Sequence, residues 1–574
     1  MNFTETFQNK STLENLCKFL EFDSLLEMRL VNKKIGQLTS ELIWKTINEN
    51  HYELYNFEEL LIKNAHNVKH LLVNDMDELL SNSKITALAS RLQVLKSLEV
   101  RYVYNEKFIV KLLEELHGKF EHKLEKLSLT FIGADEYDSQ GRLLKRKHKK
   151  NSNENSIYDC VAMFTNLKSL IIGQMMSTPQ DINSMLIKMQ SKNLKNLTLD
   201  IEEPLLEESV QIITERYAQN LNFLEIGKLY NNSADEMNNL LRKAENLESL
   251  TIGDVFEDIP KQLISEISQK DCPKLKSINL NGHPMVNQYN NFLKNNWENV
   301  TSLAFTGSML SSETCDIIIN NFKDLKHLSI LAPRQCDQRG ISNLIDKTIE
   351  QLSELQIASL KMDLSKIWKP TYKMQNMENL MFAEIKIDPK SITSILSNCE
   401  NLSELVFDST TCDDPEKLVS DIEKLSRENK IQTHNLTSLA LIAINWEDET
   451  LIPRLIKAIN KSLEAVDLSS TQISEETVDQ LEEDYPDIRF NFLEEFESDF
   501  ESEYDGSSGY EDGMSQGESP LSMYPDNGQS GYFGGAYYDS AAMKKVVSKN
   551  KGKNFNNKPN PSNENDESNE NDVD

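Results

Sequence analysis

One short phrase, two apolar residues three apart followed by a third two residues on, recurs fifteen times along the chain. No other feature limits the fold as strongly. Well-kept copies are Leu124/Leu127/Leu129, Leu194/Leu197/Leu199, Leu275/Ile278/Leu280, Leu325/Leu328/Ile330 and Leu436/Leu439/Leu441. The first apolar positions are Val68, Leu95, Leu124, Leu167, Leu194, Leu221, Leu247, Leu275, Val300, Leu325, Ile357, Met377, Leu402, Leu436 and Leu463. Ten of the fourteen spacings fall between 25 and 29 residues. A fixed period of that length implies an array in which each unit buries its apolar face only against its neighbours.

The phrase itself ends in apolar/polar alternation, the period of a strand. Between phrases the period changes. Met237, Leu240, Leu241 and Ala244 lie at i, i+3, i+4, i+7, as do Cys315, Ile318, Ile319 and Phe322, and Ile392, Ile395, Leu396 and Cys399. That spacing gathers one apolar stripe on a helix. Ser233-Ala-Asp-Glu236 reads as a capping box, and Asp388-Pro389 puts a capping residue before a proline at the first helical position. Stacked strand–helix units predict an α/β solenoid with parallel strands inside and helices outside.

From about residue 60 to 490 the chain resembles the leucine-rich-repeat family, and its long helical period and Cys272-Pro-Lys-Leu275 and Cys399-Glu-Asn-Leu402 resemble the cysteine-containing, ribonuclease-inhibitor-like type. The resemblance implies a horseshoe whose concave face carries the residues alternating with the leucines. These include Asn196, Thr198, Asp200, Phe223, Glu225, Ser249, Thr251, Ser277, Asn279, Asn281, Ser302, Thr306, His327, Ser329, Ser359, Lys361, Asp363, Glu404 and Asp408. Those with reach in the middle of the array are Phe223, Glu225, Asn279, Asn281, His327 and Lys361, which makes them the candidate substrate-binding residues. Cys272 and Cys399 read as small buried hydrophobes closing a helix–strand turn.

Residues 11–50 do not follow the repeat. Ser11-Thr-Leu-Glu14 and Ser24-Leu-Leu-Glu27 read as capping boxes, and Gly36 precedes a third apolar-spaced segment. Three short helices are predicted, too few to make a comfortable core alone. Phe19-Leu20, Leu25-Leu-Glu-Met-Arg-Leu-Val-Asn-Lys-Lys34 and Leu42-Ile-Trp-Lys45 resemble the F-box. The family's opening Leu-Pro pair falls on Gln8-Asn9 here. The resemblance implies a substrate-recognition subunit that binds the Skp-type adaptor of a Skp-cullin-F-box ubiquitin ligase, and a cullin through it. Leu13, Leu16, Leu20, Leu25, Leu26, Leu30, Val31 and Trp44 would form the adaptor-binding surface, and a protein substrate would lie on the repeats.

The expected organisation is therefore a flexible 1–10, an F-box-like module at 11–50, a solenoid at 51–492 and a tail at 493–574. A basic insert at about 133–157 contains Arg142, Lys145, Arg146, Lys147, His148, Lys149 and Lys150. Residues 494–526 are acidic with no basic residue, Lys544–Lys553 is a basic patch, and the tail offers too little apolar surface to order itself. The net charge of −31 argues against nucleic acid or an anionic membrane as partner. The N-terminus has no signal-peptide pattern, no apolar run approaches the ~18 residues of a membrane span, and seven scattered cysteines suit a reducing compartment, so a cytoplasmic or nuclear protein is expected. No catalytic, metal or nucleotide pattern is present, so neither enzyme activity nor a cofactor is expected. The alternative function is a repeat scaffold or GTPase-activating regulator without a ubiquitin role. The Ran-type activators carry Asn eight residues after the first leucine, whereas these positions here include Glu202, Leu229, His283, Ser308 and Thr471.

Overall fold

The structure, a computed structural model, describes residues 22–28 and 33–492 except 49–50, 53, 55, 75–79, 104, 131–155, 176, 202, 230–232, 256–266, 282–288, 307–309, 332–336 and 359–361. The alternating phrases form a single sheet of sixteen parallel strands in strict chain order. They are β1 (His70–Asn74), β2 (Ser97–Arg101), β3 (Lys126–Thr130), β4 (Ser169–Met175), β5 (Asn196–Ile201), β6 (Phe223–Leu229), β7 (Ser249–Val255), β8 (Ser277–Asn281), β9 (Ser302–Thr306), β10 (His327–Leu331), β11 (Glu354–Ala358), β12 (Asn379–Ala383), β14 (Glu404–Asp408), β16 (Ser438–Ile442), β17 (Ala465–Asp467) and β18 (Arg489–Asn491). Two short strands, β13 (Lys386–Ile387) and β15 (Thr411–Cys412), pair beside it.

Register follows the leucines. Leu170 faces Leu197, Leu197 faces Leu224, Leu224 faces Leu250 and Leu328 faces Leu355, each nearly or fully buried. Helices between the strands, such as Pro179–Lys188, Glu207–Arg216, Ala234–Lys243, Ser312–Asn321 and Pro389–Asn398, turn their apolar stripes onto the same core. Asp388 caps Pro389–Asn398, its carboxylate accepting from the Lys390 and Ser391 N–H groups at 3.0 and 3.1 Å. Ser233 occupies the N-cap of Ala234–Lys243 but makes no cap bond, because its ψ of 4° departs from the extended backbone that aims a capping hydroxyl inward. Full capping boxes form instead at Ser156–Asp159 and Thr178–Asp181.

Two devices join successive repeats. The carbonyl just before each strand of the main sheet from β1 to β16 accepts two N–H groups from the next repeat: Lys69 from Lys96 and Ser97 at 2.8 and 3.2 Å, Glu248 from Lys276 and Ser277 at 2.9 and 3.1 Å. The second device is an asparagine immediately before the first apolar position. Asn220, Asn246, Asn376 and Asn401 donate Nδ2–H to the carbonyls of Lys192, Gln219, Glu350 and Gln375, at 3.0, 2.7, 2.8 and 2.6 Å.

The structure corrects the sequence reading in three places. The repeat expected to begin at Ile357 begins at Leu352, so β11 carries Glu354, Gln356 and Ala358; Asp363 falls past its end, and Ser359 and Lys361 lie outside the described residues. Both flanking spacings then become regular. Asp363 instead caps the helix Leu364–Ile367. A sixteenth strand, β18, closes the array beyond the last phrase. Near the N-terminus, Ser24 lies inside the helix Phe22–Met28 and Gly36 inside Lys33–Ile43, so neither marks a helix boundary. The basic insert from 131 to 155 and the tail from 493 lie outside the described residues.

The N-terminal helices run directly into the sheet. Thr46 bridges to His70 in parallel, and the Lys45 carbonyl accepts from Lys69 and His70 at 2.9 and 3.0 Å, the same pair of hydrogen bonds that joins the repeats through β16. The asparagine device yields a prediction. Asn246→Ala and Asn401→Ala should each lower stability by about 1 kcal/mol, the worth of one hydrogen bond. Far apart, the two losses should add in chemical denaturation of the double variant. Neutral single variants would show that these bonds decorate the turns and do not hold them.

Candidate functional site

Because side chains alternate along a strand, the face opposite the leucine core consists of three parallel rows. The register fixes their membership. The entry row runs His70, Ser97, Lys126, Ser169, Asn196, Phe223, Ser249, Ser277, Ser302, His327, Glu354, Asn379, Glu404, Ser438. The middle row passes through Glu99, Ser128, Ile171, Thr198, Glu225, Thr251, Asn279, Ala304, Ser329, Gln356, Met381, Val406 and Ala440. The exit row ends Thr306, Leu331, Ala358, Ala383, Asp408, Ile442.

The rows change character from one end to the other. At β1–β4 the entry edge is cationic. Lys45, Lys69, Lys96 and Lys126 surround His70, whose pKa is lowered first by burial and then by those four charges. Glu125 sits between Lys96 and Lys168 at 2.7 and 2.9 Å, and their hydrogen bonds hold its carboxyl at about 2. At β5–β9 the rows are mostly small and polar. Here Gly227 and Gly253 let the chain pack backbone to backbone: a Cβ on Gly253 would overlap the carbonyl of Gly227. From β10 to β16 the rows turn apolar. Ala358, Met381, Ala383, Val406 and Ala440 form a cluster separate from the main core, with Leu331 and Ile442 against it.

Five of the six candidate substrate residues share this face. Phe223 and Glu225 are on β6, Asn279 and Asn281 on β8, and His327 on β10. At the ~4.8 Å spacing of neighbouring strands, β6 and β10 lie about 19 Å apart. Phe223, Glu225, Asn281 and His327 are half-buried, and Asn279 is buried. His327 Nδ1 is 3.1 Å from Glu354 Oε2. Lys361 lies outside the described residues. The apolar cluster is the part of the face that the alternation argument missed. Its signal was the failure of alternation itself, in Leu380-Met-Phe-Ala383, Leu405-Val-Phe407 and Leu439-Ala-Leu-Ile442.

Of the candidate adaptor residues, Leu13, Leu16, Leu20, Leu30 and Val31 lie outside the described residues. Leu25 and Leu26 are half-buried and pack against the solenoid core. Trp44 is 2% exposed and belongs to that core, together with Ile43 and Ile47. It stacks edge-on against His51 at 5.5 Å, and His51 binds back to the Ile43 carbonyl at 2.9 Å and to Asn48 Oδ1 at 2.7 Å. Burial lowers the pKa of His51. Tyr52 completes the junction, its hydroxyl donating to the Leu72 carbonyl and accepting from the Asn74 N–H, both at 2.8 Å.

The described residues contain no group of three or more His, Cys, Asp or Glu placed to hold a metal ion, and no helix long and apolar enough to cross a membrane. Cys272 and Cys399 are fully buried, as the helix–strand turn predicts. Burial pushes both thiols up to about 12, far from a reactive thiolate.

Strand order, register and repeat length define a leucine-rich-repeat solenoid. No protein-family model matches the chain, and no curated protein matches it by sequence. Among solved structures it is similar to an internalin (inlF) from Listeria monocytogenes str. 4b F2365, at 14% identity over 70% of this chain and 91% of that one, with a TM-score of 0.32. It is also similar to a chain of the Rad7 and Elc1 complex in yeast, at 14% identity, 71% and 89% coverage and a TM-score of 0.28. The plant peptide hormone receptor RGFR1 in complex with RGF2 gives 14%, 76% and 77%, and 0.26.

Glu225 supplies a pH test of the middle of the face. Burial first, and then Asp200, raises its carboxyl pKa, against a hydrogen bond from Thr198 at 3.2 Å. A raised folded-state pKa contributes stability below the ordinary value of 4.5 and loses it as pH rises through the raised value. Glu225→Gln should therefore raise the thermal midpoint by a small amount at pH 7, and the gain should vanish near pH 4. A gain independent of pH would mean that the carboxylate carries no burial cost.

Proposed function

We propose that this protein is a substrate-recognition subunit of a Skp-cullin-F-box-type ubiquitin ligase. The F-box-like helices would dock the Skp-type adaptor, the open face of the sheet would hold a protein substrate, and the ligase chemistry would reside on other subunits. On this reading the chain is not itself an enzyme and works in the cytoplasm or nucleus. The observation that carries the reading is the junction at Lys45–Tyr52. Trp44, Ile47 and His51 lock the helical module to β1, so a partner bound to the helices is held in fixed relation to a substrate on the rows. A ligase arm needs that rigidity, since it must present a substrate to a distant catalytic subunit. The breadth of the face supports the same reading, because rows shared by so many strands suit a protein surface more than a small molecule.

A second reading is a leucine-rich-repeat scaffold in which the helices only cap the array. Burial of Trp44 in the solenoid core favours it, since that ring is then used inside the chain. The experiment that separates the two is co-purification of the full chain with a Skp-type adaptor. The first reading expects a stoichiometric complex, lost when Leu26 and Leu30 are both changed to Ala. Each buried leucine contributes about 1.5–3 kcal/mol, so the double change should weaken binding at least a hundredfold. Circular dichroism of the variant should match the parent. If the unaltered chain fails to bind the adaptor, the capped-scaffold reading replaces it.

A further inference from the structure

The edge of the sheet at which β1 to β5 begin is dominated by positive charge. The residues whose carbonyls join these repeats are Lys45, Lys69, Lys96, Glu125, Lys168 and Lys195. Strand pairing stacks them one per strand, at the ~4.8 Å strand spacing. Lys45, Lys96, Lys168 and Lys195 are exposed, and Lys69 is half-buried. The fold does not require lysine here, because only the backbone carbonyl makes the joint. Later repeats place Asn222, Thr301, Ser353, Ser403 and Thr437 at the same position. Like charges side by side across strands repel, so the row carries a cost that the fold does not explain. The turns that lead into β2–β5, residues 92–96, 121–125, 163–168 and 189–195, are described throughout, and Glu121 and Glu125 are their only acids. The undescribed stretches between β1 and β6, at 75–79, 104, 131–155, 176 and 202, all follow the far ends of strands.

Glu125 shows which anion the column takes. Its carboxylate bridges Lys96 and Lys168, at 2.7 and 2.9 Å. Among the described residues, Lys45, Lys69 and Lys195 have no carboxylate in ion-pair range. A ligand that extends the pattern brings several carboxylates in a row. The chain itself holds such a row in Glu495-Phe-Glu-Ser-Asp-Phe-Glu-Ser-Glu-Tyr-Asp505, with six acids at every second residue. In extended backbone all six would share one face, ~6.7 Å apart. We propose that this segment of a second copy docks across the lysine column, its alternate carboxylates meeting Lys45, Lys69, Lys96, Lys168 and Lys195. The dimensions agree. The column crosses five strand gaps, about 24 Å, which roughly eight extended residues with about four of the carboxylates cover. Along the sheet the segment's own column is out of reach. From β18 to β5 there are eleven strand gaps, about 53 Å, whereas Phe500, the middle of the segment, is nine residues and about 30 Å from Asn491. Each copy has a net charge of −31, but at about 0.15 M salt that long-range repulsion is screened beyond ~8 Å while the contact pairs remain. The contact is independent of whether the helices bind an adaptor.

The test uses full-length chains in sedimentation velocity at about 0.15 M salt. The unaltered chain should associate as its concentration rises, and about 1 M salt should separate it. Two variants divide the contact. In the column variant, Lys69→Glu and Lys195→Glu reverse two lysines. In the segment variant, Glu495→Gln, Glu497→Gln, Asp499→Asn, Glu501→Gln, Glu503→Gln and Asp505→Asn remove the acids. Each alone should associate at least tenfold more weakly, with its melting curve unchanged. Mixed, the two should form a one-to-one complex, because one supplies the segment and the other the column. A fluorescent peptide of residues 493–506 should bind the segment variant at least tenfold more tightly than a chain carrying both sets of changes. A peptide that fails to bind, or association that survives the column variant, would overturn the column as the site. An unaltered chain or a mixture that stays monomeric while the peptide binds would overturn the second copy as occupant.

Discussion

The repeats of this protein through β16 depend on one hydrogen-bonding pattern: the carbonyl before a strand accepts two N–H groups from the repeat that follows. The series begins at Lys45 and passes through Lys69, Lys96, Glu125, Lys168, Lys195, Asn222, Glu248, Lys276, Thr301, Lys326, Ser353, Glu378, Ser403 and Thr437. A parallel strand satisfies its ladder only through neighbours on both sides. The double acceptor fixes where each new strand starts, so the leucines stack in register and the helices stack behind them. A one-residue slip would turn a whole leucine set onto the open face. The asparagine bonds reinforce the same joint from the side-chain level, one repeat apart.

That regularity makes the open face a single surface and leaves its chemistry free to vary along its length. The leucine positions are spent on the core, whereas the row positions are constrained only by their neighbours across the strand. They pass from lysines around His70, through serine, threonine and asparagine, to the alanine, methionine and valine of β11–β16. The N-terminal helices enter the same system. A single bridge from Thr46 meets β1 at His70, and Tyr52 binds β1 at Leu72 and Asn74, so the first edge of the sheet is partly covered by the chain itself.

The repeat, its parallel strands and the helix stripes were legible in the sequence because burial demands leucine at fixed steps, and leucine was kept. What was not legible has physical causes. Residues 357–362 mimic the apolar phrase by chance of spacing, and only the pairing of Leu328 with Leu355 shows where β11 starts. The residues that turn the chain out of a strand take left-handed backbone at Tyr102, Glu384, Ser409, Ala443 and Ser470, with φ between 50° and 55°. None is Gly or Asn, so no residue type announces the turn; at Tyr102, Glu384, Ser409 and Ala443 an N–H bond to the next repeat, such as Glu384 to Asp408, holds it. On the candidate site, alternation placed Phe223, Glu225, Asn279, Asn281 and His327 on one face, while Lys361 lies outside the described residues. The asparagine before several of the first apolar positions was visible in Asn220, Asn246, Asn376 and Asn401, but its role needed the rung geometry.

The helical module and the repeats form one continuous hydrogen-bonded ladder from Lys45 to Asn491. Hydrogen exchange read by mass spectrometry on the full chain measures this directly. The account predicts slow exchange of the Ile47, Lys69 and His70 amides, comparable to those of Ser97, Ser277 and Glu404 deeper in the array. Fast exchange at Ile47, Lys69 and His70 beside protected strands from β2 onward would contradict it, and would show that the ladder begins without the helices.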